Sequence, residues 1–121
     1  MSARLDLTPE ERDELAQLLG EDSLGALLRG WSAFVTTVER GYDDSIYEYT
    51  NDLSVRDRLE RMVAGASPGL RAQLERAVAE DDRRFMAATE EAAKPFGTSP
   101  WERRVPARRV GELADDLRAQ S

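Results

Sequence analysis

Residues 24–53 read LGALLRGWSAFVTTVERGYDDSIYEYTNDL. Within them Leu24, Leu28, Trp31, Val35, Val38, Tyr42, Ile46, Tyr49 and Leu53 recur at spacings of three and four. At an advance of about 100° per residue these side chains share an arc of about 80°. The pattern predicts one amphipathic helix over residues 23–51, roughly 40–45 Å long at about 1.5 Å per residue. Leu27 and Phe34 widen its apolar face, and Gly25, Gly30 and Gly41 lie off that face. A glycine inside a helix costs about 0.5–1 kcal/mol against alanine. Gly41 is the weakest point, yet the stripe keeps phase through it.

Outward from that stretch, the punctuation predicts further helices. Thr8, Pro9 and Glu11 form an N-cap, a first-position proline and a capping box, and Gly20 stops a helix over 8–19. Asn51 to Ser54 reads as a turn, with Ser54 and Asp57 opening a helix over 55–64. Ser67-Pro68 opens a fourth over 68–93, striped by Leu70, Leu74, Ala77, Val78, Phe85, Ala88 and Ala92 and stopped by Pro95. Residues 95–110 hold three further turn-formers, Gly97, Pro100 and Pro106, and read as an extended segment packed on the outside. A short helix over 110–119 carries Leu113 and Leu117. No strand pattern competes. The fold class is therefore all-α, a single helical-bundle domain of four main helices plus a short C-terminal one.

Composition narrows the chemistry. The 121 residues contain no cysteine and no histidine. That excludes disulfides, thiolate metal sites and cysteine nucleophiles, and removes the commonest general base. No Walker loop, nucleophile elbow, Gly-rich dinucleotide turn or calcium loop is present. No catalytic residue, metal ligand or cofactor is assigned, and binding is favoured over catalysis. The N-terminus lacks the apolar core of a secretory signal, and no apolar run approaches membrane-spanning length. A cytoplasmic protein without a membrane partner is the expectation. Basic charge is arginine apart from Lys94, as a GC-rich genome alone would give.

The net charge of −7 is uneven: residues 1–52 carry twelve acids against four bases. Such a surface repels phosphate backbones, which argues against nucleic acid, and suits a basic protein partner. Tyr47 points away from the apolar stripe, with Asp43, Asp44, Glu48 and Asn51 around it. A tyrosine can bury much area at little entropic cost, and carboxylates steer a basic partner to it. The surface is similar in character to that of nuclease-immunity proteins, small acidic helical bundles with exposed tyrosines, although no stretch aligns with that family. The bland reading is a solvated acidic helix end.

Two other features compete with this face. Asp81 falls in the stripe of the fourth helix, where a carboxylate needs partners. Arg58, Tyr42, Tyr49 or the Trp31 indole could supply them. A buried polar contact that fixes helix register is the plain reading, and a ligand-binding or catalytic carboxylate the sharper one. The segment 101–110, WERRVPARRV, carries a net charge of +3. Its residues Trp101, Val105 and Val110 are expected to pack on the bundle while its arginines meet acidic groups.

Three functional readings follow. The first is an interaction module (inhibitor, antitoxin- or immunity-like protein, or adaptor) using the Tyr47 face. The second is a small-ligand binder or enzyme built on Asp81, Tyr42, Tyr49 and Arg58. The third is a homo-oligomer formed through leftover apolar surface of the long helix.

Overall fold

The computed structural model describes residues 5–109 and 111–120. Five helices and a short ribbon follow one another: α1 (Pro9–Leu19), α2 (Leu24–Arg40), α3 (Ile46–Gly65), α4 (Pro68–Ala88), β1 (Thr89–Glu91), β2 (Arg104–Pro106) and α5 (Gly111–Gln120). α2 packs chiefly on α4 and α3, α1 lies against α3 and α4, and α5 lies against α3. The architecture is the all-α bundle expected from the stripes, with one small antiparallel ribbon added.

The long helix is two helices. α2 stops at Arg40, and Gly41 adopts φ +116°, a backbone state that side-chain-bearing residues rarely enter. Its N–H returns to the carbonyls of Thr37 and Val38. Four residues later Ser45 caps α3, its Oγ accepting from Glu48 N at 3.1 Å. α3 then runs without interruption through Asn51–Ser54, so the predicted turn is helix. The hydroxyl of Ser54 donates to the Asn51 carbonyl at 2.6 Å instead of starting a new element.

The stripe nevertheless identifies what is buried. Trp31, Val35, Val38, Tyr42, Tyr49 and Leu53 are all in the core. The 23–51 expectation fails because periodicity records which side of each helix faces inward, and a hairpin of two helices can keep that record in phase. Burial of such a stripe stabilises both arrangements, and the backbone terms at Gly41 and Ser45 select the hairpin.

α1 carries the full Thr8/Glu11 capping box. At α4 Ser67 is the N-cap residue before Pro68 as expected, but its side chain makes no cap hydrogen bond: the Ser67 N–H and hydroxyl both donate to Glu14 of α1, each at 2.6 Å. α4 ends at Ala88, before the predicted 93. There the chain becomes extended and pairs with residues 104–106, Thr89 opposite Pro106 and Glu91 opposite Arg104. Val110 lies outside the described residues, so its expected packing is not described.

Candidate functional site

The break at Gly41 relocates Tyr47. It sits in the first turn of α3, on a helix start and not on the outer end of a long helix. Asp43 and Asp44 lie in the link before it, Glu48 lies beside it, and Asn51 is one turn on. Tyr47 is 76% exposed, the most exposed large apolar side chain among the described residues. The same position explains much of the local acidity. Asp44 Oδ1 accepts from Ser45 N at 2.7 Å, and Asp116 of α5 accepts from Ile46 N at 2.9 Å. Glu48 stands in the first turn, near the positive end of the α3 dipole. Asp43, Tyr47 and Asn51 differ: among the described residues their side chains make no hydrogen bond, and all three are exposed.

The expected buried cluster does not assemble. Asp81 is only partly buried and pairs with Arg84 at 2.7 Å, with Ser32 3.5 Å away. Tyr42 donates to Asp52 at 2.8 Å, and Tyr49 donates to the Arg104 carbonyl at 3.0 Å. Arg58 is exposed, beside a hollow shared with Leu18 and Met62. Tyr42 and Tyr49 do meet, their ring centroids 5.2 Å apart and edge to face, but Asp81 and Arg58 lie elsewhere, and none of the partners expected for Asp81 reaches it.

The position one residue on holds the buried network. Asp82 accepts from Arg56 Nε at 2.8 Å, from Arg56 Nη2 at 2.7 Å and from Trp31 Nε1 at 2.9 Å. Arg56 is 5% exposed and also donates to Glu60 at 3.2 Å. Its guanidinium lies 4.3 Å from the ring centroid of Trp101, whose Nε1 donates to Asp57 at 2.6 Å. Burial opposes the charge on Arg56; the hydrogen bonds and charge of Asp82, with Glu60, outweigh it and raise its pKa. Among the described residues no buried side-chain N or O lacks a partner. A carboxylate held in this way by two guanidinium nitrogens and an indole fixes the register of α2, α3 and α4.

A signal for this network was present. Leu74, Val78, Asp82 and Phe85 are spaced four, four and three, so Asp82 belongs to the α4 stripe as well as Asp81 does. Arg56 follows Leu53 by three along α3. The expected helix start at Ser54 hid the pair: α3 begins earlier, at Ile46, and only the longer helix puts Arg56 on the face of Tyr49 and Leu53.

In the arginine segment Arg103, Arg108 and Arg109 are exposed. Trp101 and Val105 are buried. Arg104 donates to Thr89 Oγ1 at 2.8 Å and to the Thr89 carbonyl at 2.7 Å, and Arg109 pairs with Glu90 at 3.1 Å. Tyr42 N donates to the Arg108 carbonyl at 3.3 Å, tying the segment to the α2–α3 link.

Compared with models of protein families, with curated proteins and with solved structures, the chain matches none. Among the described residues no helix is long and apolar enough to cross a membrane. Nor does any cluster of three or more acids there form a metal-binding group. The arrangement brings to one helix start an exposed aromatic ring and a carboxylate that has no hydrogen-bond partner among the described residues.

Proposed function

We propose that the protein is a cytoplasmic interaction module that takes a basic protein surface on its Tyr47 face, acting as an inhibitor, an antitoxin- or immunity-like protein, or an adaptor. The observation that carries this reading is the 76% exposure of Tyr47 beside an Asp43 whose side chain makes no hydrogen bond or ion pair among the described residues. A large exposed aromatic is what a partner buries at the centre of a contact, and rim carboxylates speed and orient its approach.

Asp44 accepts from Ser45 N at the start of α3 and Glu48 lies in its first turn, so reversing their charge would oppose the helix dipole and disturb folding together with binding. The clean variants are Tyr47→Ala and Asp43→Lys. The tagged chain and both variants are used to capture protein from the source lysate at low salt, with a high-salt wash in parallel. We expect one stoichiometric protein that the unmodified chain retains at low salt and releases at high salt, that Tyr47→Ala fails to hold, and that Asp43→Lys captures more slowly and with less salt dependence. A partner retained equally by the variants, or none at low salt, overturns the reading.

A further inference from the structure

The apolar stripe of α2 is covered unevenly. Trp31, Val35 and Val38 are sealed, whereas Leu24 and Leu28 are only partly buried. These two line an open groove of about 660 Å³ between α2 and α4, with Ala77 on the α4 side. Its volume is in the range of small-molecule sites, roughly 300–1,000 Å³.

The groove also holds charge without partners. Arg29 of α2 and Arg76 of α4 both line it. Among the described residues neither makes an ion pair or a hydrogen bond. The groove's acids are already engaged, Glu80 by Arg83 and Asp81 by Arg84. Arg84 is shared further with Glu39 at 2.6 Å, so it is spent as well. Gly25 leaves room for Arg29 to fold back over the groove: a Cβ there would lie 3.0 Å from Arg29 Nη1.

From this juxtaposition we propose that the α2–α4 groove is a binding site for a small amphipathic carboxylate, an apolar chain or ring ending in a carboxyl group. The apolar body covers Leu24, Leu28 and Ala77. Arg29 and Arg76 take the carboxylate, whose two oxygens match a guanidinium fork. An ammonium head would meet two uncompensated cations instead. The site lies on the N-terminal half of α2, away from the start of α3, and does not depend on the Tyr47 face.

The test is a calorimetric titration of the full chain with decanoate, with decylammonium as the charge-reversed probe and amide NMR shifts to locate the contact. Both arginines are exposed, so the Arg29→Ala/Arg76→Ala double variant is expected to keep its fold, which circular dichroism checks. The single variants serve in its place if it does not. We expect saturable one-to-one decanoate binding with shifts at Leu24, Leu28 and Ala77. Decylammonium is expected to bind about tenfold more weakly, and loss of the arginines to weaken decanoate by about tenfold. No saturable decanoate binding, equal binding of decylammonium, or unchanged affinity without the arginines overturns the proposal.

Discussion

Two regions of this protein use similar residues to opposite ends. Around Asp82, a carboxylate, an arginine and two tryptophans lock into one another, with every buried polar atom among the described residues partnered. Around Tyr47, carboxylates and an aromatic ring stand in solvent, and among the described residues the side chains of Asp43 and Asn51 have no hydrogen-bond partner. Residue type is therefore a poor guide to role here. What separates structure from candidate function is whether the polar groups have already found their partners within the chain. In the first region the hydrogen bonds replace those lost to water on burial. In the second they are still available to another molecule.

The largest effect should come from breaking the first region. Asp82→Ala would leave the Arg56 guanidinium buried without its main counter-charge, and the Trp31 indole without its acceptor. A loss of about 3 kcal/mol of folding free energy is expected, at the lower end for a broken buried pair because Asp82 is itself about one-third exposed. Asp81→Ala is the matched control. Arg84 keeps Glu39, so the cost should stay under about 1 kcal/mol. Urea unfolding of both variants checks the contrast, and equal losses would mean that the two adjacent carboxylates do the same work.

The second region exists because the chain turns at Gly41. Gly41→Ala places a Cβ at φ +116°, and a loss of about 1–3 kcal/mol is expected by the same unfolding measurement. Nothing beyond an ordinary contact with Arg108 Cβ blocks the added methyl, so the cost is conformational and not steric. A loss under about 0.5 kcal/mol would mean that the link tolerates a continuous helix.

That turn is also where the sequence was hardest to interpret. The core was legible because burial follows hydrophobic spacing: Trp31, Val35, Val38, Tyr42, Tyr49 and Leu53 all come from one stripe, and the buried Phe34 widens the same face. The hairpin was not, since Tyr42 and Ile46 continue the stripe across the link. Two weaker signals favoured the break. Ser45-Ile-Tyr-Glu48 is a Ser-x-x-Glu start, and Gly41 sits where a helix stop would fall four residues earlier. Local caps of about 1 kcal/mol decided between two ways of burying the same side chains. Tyr47 was identifiable as outward-facing from either arrangement. The Arg56–Asp82 pair was legible only in part: each residue lies on the apolar stripe of its helix, but no local pattern records that the two meet between α3 and α4.

Alkaline pH sharpens the contrast from the buried side. Burial raises the Tyr42 phenol above its ordinary pKa, and the hydrogen bond and charge of Asp52 add to it. Burial likewise raises Tyr49, against a small opposing effect of Arg104. The unfolded chain releases these protons near pH 10, while the folded chain holds them. Stability from this source is complete below about pH 10 and falls as pH rises, by about 1.4 kcal/mol per pH unit for each phenol. Unfolding free energies measured from pH 8 to 11 should show that fall, with a shallower slope in Tyr42→Phe and in Tyr49→Phe. An unchanged slope in both would remove these phenols as its cause.

The smallest effect on folding should come from Tyr47→Ala, and that smallness is the point. The ring is mostly in solvent, and its hydroxyl has no acceptor among the described residues. Its removal should therefore shift the unfolding free energy by no more than about 0.5 kcal/mol. The same truncation should weaken capture of a basic partner by about 2 kcal/mol or more if the ring is the centre of the contact. Asp43→Lys should act differently, slowing association and reducing its salt dependence with little change in dissociation. A Tyr47→Ala chain that unfolds early would place the ring inside the structural economy of α3, and the distinction between a satisfied region and an available one would no longer hold.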